Sequence, residues 1–147
     1  MKKHIFKSRV LAASFFLGLG IIPLAHADED HPTGGFLGAA SASNTDVYVL
    51  SCPIGTVNVK ASVNDAILTG NEISVQITDP HGRATSQTAP DDGGFSPEAI
   101  LGGGAGNYLV SVHKNTEDGE GYAISSDCYD SAGAPAPGLQ LTQVQNQ

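Results

Sequence analysis

Alternation of period two constrains this chain more than any other feature. Val57, Val59, Ala61 and Val63 alternate with Thr56, Asn58, Lys60 and Ser62. Ile73, Val75 and Ile77 alternate with Ser74, Gln76 and Thr78, and Tyr108, Val110 and Val112 with Leu109, Ser111 and His113. Tyr122, Ile124 and Ser126 continue the pattern to Cys128, and a fifth run, Asp46 to Cys52, carries Val47, Val49 and Leu50. Side chains on a strand point to opposite faces in turn, so each run is a half-buried strand. No apolar period of 3.6 lasts even three turns. Short strands separated by turn signals predict an all-β antiparallel sandwich, Ig-like or jelly-roll-like. Without tryptophan, the antibody-type Cys…Trp…Cys signature is missing.

The turns are equally legible. Asp79-Pro80-His81-Gly82 sets one φ with proline and offers a glycine for φ > 0. Arg83 to Ala89 is Thr-rich and reads as an edge strand pairing back. Asp91-Asp92-Gly93-Gly94 is a second turn. Ser96 to Leu101 is compatible with a helical turn or a short strand. Gly102 to Asn107 is a glycine-rich connection, without the Lys-Ser/Thr a phosphate loop requires.

The amino terminus says where such a domain would work. Lys2, Lys3, Lys7 and Arg9 form a basic region before the apolar run Val10 to Leu24, and Ala25-His26-Ala27 supplies small residues at a cleavage site. That is the layout of a secretory signal peptide, residues 1–27, with the exported chain beginning at Asp28. Of the 147 residues, 120 then remain, one ordinary domain. The run is short for a membrane span and is broken by Gly18, Gly20 and Pro23. The remainder, 28–45, reads as a flexible arm, 46–130 as the sandwich domain, and 131–147 as a tail with a short strand at Leu139 to Val144.

Charge excludes some functions. The whole chain carries −8. Past residue 27, Lys60, Arg83 and Lys114 face all fifteen Asp and Glu, leaving −12. Such a surface repels phosphate backbones and anionic lipid, so neither nucleic acid nor membrane is an expected partner. Cys52 and Cys128, the only cysteines, are expected to pair in an oxidising compartment. The bridge closes 77 residues and contributes about 4–5 kcal/mol in the chain-entropy account.

Gly103-Gly104-Ala105-Gly106-Asn107-Tyr108-Leu109-Val110-Ser111-Val112, an acidic glycine loop, then Gly121-Tyr122-Ala123-Ile124, resembles the closing hairpin of bacterial pre-peptidase C-terminal domains. Those show a "G-x-Y-x-v-x-V … Y-x-l" pattern in secreted β-sandwiches. No peptidase accompanies it here, and the cysteine pair is not a family requirement. The resemblance implies a non-catalytic accessory or binding role, sometimes with calcium.

Candidate chemistry is sparse. Carboxylates recur in segments read as loops: Glu117, Asp118 and Glu120, then Asp91 and Asp92, with Asp28-Glu29-Asp30 and Asp127 with Asp130 beside them. Hard cations such as calcium take six to eight oxygens from such groups, and these residues are the candidate ligands, although no EF-hand spacing is present. His31, His81 and His113 offer imidazole for copper but read as surface residues. No Gly-x-Ser-x-Gly elbow marks a hydrolase, so no catalytic residue is assigned. The expectation is an exported, non-catalytic accessory or binding module with no cofactor beyond candidate calcium. Its partner is a protein or a polysaccharide. Periplasmic or extracellular binding of calcium or copper is the alternative, and a small hydrolase the third reading.

Overall fold

A computed structural model describes residues 33–39, 41–68, 70–90 and 92–147. The expected signal peptide, the start of the arm, His31 and Asp91 lie outside the described residues. Nine strands follow one another: β1 (Thr33–Leu37), β2 (Thr45–Cys52), β3 (Asn58–Asp65), β4 (Ile73–Thr78), β5 (Ala84–Thr88), β6 (Ala99–Gly102), β7 (Gly106–Lys114), β8 (Glu120–Tyr129) and β9 (Gln140–Gln145). No helix occurs among the described residues.

Two antiparallel sheets pack face to face, in the orders β1-β8-β3-β6 and β5-β4-β7-β2-β9. The pairings β1·β8, β2·β7, β3·β6 and β4·β5 are nested. They are the rungs of one long hairpin, folded over so that successive pairs fall alternately into the two sheets. β3·β8 and β4·β7 then close each sheet. This is the jelly-roll form of the β-sandwich, with β9 added beside β2. The tip of the hairpin is the predicted turn. Gly82 adopts φ 79°, and the Asp79 carboxylate accepts hydrogen bonds from the His81 and Arg83 N–H groups at 2.9 and 2.8 Å.

The alternating residues meet between the sheets. Val59, Ala61 and Val63 of β3 and Ile124 of β8 face Ile73, Val75, Ile77, Val110 and Val112 of the other sheet, all essentially without exposure. Burying one such side chain contributes about 1.5–3 kcal/mol, so these rows dominate the cohesion of the sandwich. In β2 the inner face is Asp46, Tyr48, Leu50 and Cys52, while Val47 and Val49 point outward. Cys52 and Cys128 are bonded, with Cα atoms 5.7 Å apart. They join β2 to β8, and so one sheet to the other.

One expectation is corrected and two are resolved. The arm 28–45 contains β1, paired with β8. Its glycines hide the strand: Gly35 lies opposite Tyr122, whose ring occupies the space a Cβ would need. The short strand expected in the tail 131–147 is β9, and it pairs with β2 along Gln140–Gln145. That strand buries only part of Leu141, so it shows little apolar alternation. Of the two alternatives for Ser96 to Leu101 the short strand is present, as β6 from Ala99 onward. In addition β7 and β8, which carry the family resemblance, are not hairpin partners; the loop between them crosses from one sheet to the other.

Candidate functional site

The outer face of the four-stranded sheet carries a shallow polar cleft of about 280 Å³. Lys60 and Ser62 of β3, Ser125, Asp127 and Tyr129 of β8, and Glu98 just before β6 line it. Pleating sends these strand residues outward because Val59, Ala61, Ile124 and Cys128 point in. Register makes them neighbours: Lys60 stands directly opposite Asp127, and Ser62 opposite Ser125.

Lys60 organises the cleft. Its Nζ donates to Glu98 Oε2 at 2.8 Å and lies 4.5 Å from the centre of the Tyr129 ring. The Glu98 hydrogen bond is the main influence raising the lysine pKa, with smaller help from Tyr129 and Asp127. One cation thus pairs with the Glu98 carboxylate, stands across from Asp127 and lies over one aromatic ring, on a surface of hydroxyls. Ser62 and Ser125 both donate and accept, the carboxylates accept, and Tyr129 adds a π-face. Such a set suits a neutral ligand rich in hydroxyl groups.

The other two cations of the described chain are occupied elsewhere. Arg83 Nε donates to Asp79 at 2.6 Å and its NH2 group to the Gly102 carbonyl at 2.9 Å. Desolvation alone would push the Asp79 carboxyl up. The hydrogen bonds from Arg83 and His81 outweigh it and hold the group below its ordinary value. Lys114 is buried, and its ammonium donates to the carbonyls of Gly38 and Asp118. Each lysine and arginine among the described residues thus has a partner within the fold.

The carboxylates expected as metal ligands are dispersed in role. Glu117 and Asp118 are exposed in the β7–β8 loop. Glu120 is not a loop residue; it opens β8, fully buried, and accepts a hydrogen bond from the Asn71 amide. Asp92 accepts the Gly94 N–H at 2.7 Å and shapes its turn. Asp127 lies in β8 rather than a loop, and Asp130 accepts the N–H groups of Ala132 and Ala134 at 2.8 and 2.9 Å. Among the described residues, no group of three or more His, Cys, Asp or Glu side chains is placed to hold a metal ion. His81 sits in the β4–β5 turn and His113 on the five-stranded sheet, both away from the cleft.

Sequence reasoning passed over Lys60, Ser62, Glu98, Ser125 and Tyr129. Alternation marks most of them as outward-facing. Only the β3·β8 and β3·β6 registers, between strands far apart in the chain, show that they share one patch. Compared with known proteins, this chain matches no family model and no curated protein. Its disulfide is the mark of an oxidising compartment. No helix among the described residues is long and apolar enough to cross a membrane.

Proposed function

We propose that this chain is an exported, non-catalytic binding module that takes a neutral, hydroxyl-rich ligand, a segment of polysaccharide, in the Lys60–Glu98–Asp127–Tyr129 cleft. The observation that carries the reading is the composition of that cleft: paired charges, two serine hydroxyls and an aromatic ring on a rigid sheet. Five of the polar lining side chains stand on strands, and Lys60 is already hydrogen-bonded to Glu98; groups so placed lose little freedom on binding, which favours recognition of a weakly interacting polyol. The overall charge of −8 supports a neutral over an anionic ligand. The basic region, the apolar run and Ala25-His26-Ala27 support export, as does the disulfide. The resemblance to pre-peptidase C-terminal domains points to the same accessory role.

The test is a titration with neutral oligosaccharides of different linkage, followed by amide shifts on the labelled protein. Saturable shifts at residues 60–62, 98 and 125–129 are expected, and Tyr129→Ala should weaken binding about tenfold. Shifts that avoid the cleft for every sugar, or binding unaffected by Tyr129→Ala, would reject the assignment. A thermal melt in EDTA and then with calcium or copper tests the alternative: a ligand of the folded state raises the midpoint. A rise abolished by Glu117→Gln or Asp118→Asn would replace the polysaccharide reading by a metal-binding one.

A further inference from the structure

Among the described residues, the rim of β9 is the least protected strand edge. There β9 has one neighbour, β2, and no described strand pairs with the backbone groups on its other side. Proteins blunt such edges with charge, proline, glycine or brevity. The other three edges carry these devices. β6 has four residues between Pro97-Glu98 and Gly103-Gly104; β5 lies between Arg83 and Pro90; β1 contains Gly34 and Gly35. β9 also follows a Pro-Gly pair, Pro137-Gly138, but it is the longest of the four edge strands, reads Gln-Leu-Thr-Gln-Val-Gln, and no charged residue occurs anywhere from 131 to 147. Its one irregularity is a bulge opposite Val47 and Tyr48, which leaves Gln140–Gln143 as the straight stretch.

Neutrality extends inward from this edge. Val47 and Val49 of β2 and Leu109 and Ser111 of β7 continue the outer face without a charge. Asp46, the carboxylate nearest the far end of β9, is buried and already accepts hydrogen bonds from Tyr122 Oη and the Gln147 N–H. In a chain of net charge −8, copies repel wherever carboxylates meet. The β9 edge is where two copies can approach without that cost. A neutral strand favours a neutral strand, and antiparallel pairing of β9 with itself sets only Gln, Leu, Thr and Val against one another.

We propose that β9 pairs antiparallel with β9 of a second copy about a twofold axis, joining two five-stranded sheets into one of ten strands. The straight rim is short, so the dimer is weak and reversible, in the class of small interfaces. This association is independent of the cleft, which lies on the opposite sheet.

The test is sedimentation of the exported protein from about 10 μM to about 1 mM, with amide hydrogen exchange at both ends of the range. The mean mass should move from monomer toward dimer, and amides within 140–143 should gain protection while those of β5 do not. Thr142→Lys, exposed on β9, should weaken association by at least about tenfold, because the twofold brings the two lysines close together. It also lowers the net negative charge, so loss of the dimer cannot reflect general repulsion. Ser86→Lys on β5 should leave association unchanged. Wild-type protein that stays monomeric to about 1 mM, exchange unchanged along β9, or a Thr142→Lys variant that dimerises normally would each overturn the proposal. Should Thr142→Lys fail to fold, the wild-type exchange comparison decides alone.

Discussion

The two ends of the sandwich hold the same sheets together by different chemistry. At one end, Cys52 closes β2 and Cys128 lies near the end of β8, and the bridge between them crosses the core. At the other end, where β2 and β8 begin, the sheets meet through a buried polar network. Tyr122 Oη donates to Asp46 Oδ2, and the Tyr48 and Tyr122 hydroxyls are 2.7 Å apart. The Gln147 N–H donates to Asp46 Oδ1 at 2.8 Å, and the Gly38 N–H to the Gln147 carbonyl at 3.0 Å. Lys114 ties Gly38 to Asp118 nearby. The disulfide acts mainly by restricting the unfolded chain, whereas the network acts only while the native geometry persists. The covalent end is insensitive to local opening. The polar end is where β1, β9 and the β7–β8 loop are held in place.

That contrast can be broken most strongly at the disulfide. Cys52→Ala with Cys128→Ala should lower unfolding free energy by about 4–5 kcal/mol while native exchange patterns at the polar end stay unchanged. Denaturant unfolding with and without reductant measures it. A loss under about 1 kcal/mol would mean that the unfolded chain is already compact across this loop.

Asp46→Ala should come next, at about 2–3 kcal/mol, since it removes the charged acceptor of two hydrogen bonds. Unlike the cysteine variant, it should speed hydrogen exchange selectively at 140–147. Uniform acceleration across all strands would show that the two ends are not independent. Lys114→Met should cost about 1–3 kcal/mol by stranding the Gly38 and Asp118 carbonyls, and exchange in the β7–β8 loop should report it.

Alkali should sharpen the same distinction. Burial raises the pKa of Tyr122, and the neighbouring Asp46 and Tyr48 raise it further; burial likewise raises Tyr48. Both groups therefore keep their protons in the folded state above about pH 10, where unfolded tyrosine ionises. Their contribution is fully present below that pH and is lost as pH climbs. Stability should fall steeply there, and Tyr122→Phe should flatten the slope. The smallest effect is expected at His113, whose pKa burial lowers. Its neutral form is favoured in the fold, so a slight loss of stability should appear as pH drops below about 6.5 and vanish in His113→Gln.

Much of this fold was legible. The runs at 58–63, 73–78, 108–112 and 122–126 read directly as strands because each buries alternate residues, although Val57, in phase with them, lies before β3 and is exposed. The Asp79–Gly82 turn carried its own geometry, and two cysteines in one domain had one pairing to make. β1 was illegible, and β9 legible only as a short strand without a partner, for a physical reason. One substitutes glycine for the residue that would clash with Tyr122, and the other buries almost nothing. The candidate ligands show the same limit. Glu120 looks like the end of an acidic loop, yet it is buried at the start of β8 beside Asn71.

By itself, the sequence determined the strand periodicity, the principal turns, the acidic balance and the cysteine pair. These are local or compositional properties, written within a few residues or summed over all of them. The tertiary structure alone decided between jelly-roll and Ig-like connectivity, placed Lys60 between Glu98 and Asp127, and left β9 at an open edge. Those outcomes depend on register between strands as far apart as residues 33 and 124, which no local pattern encodes.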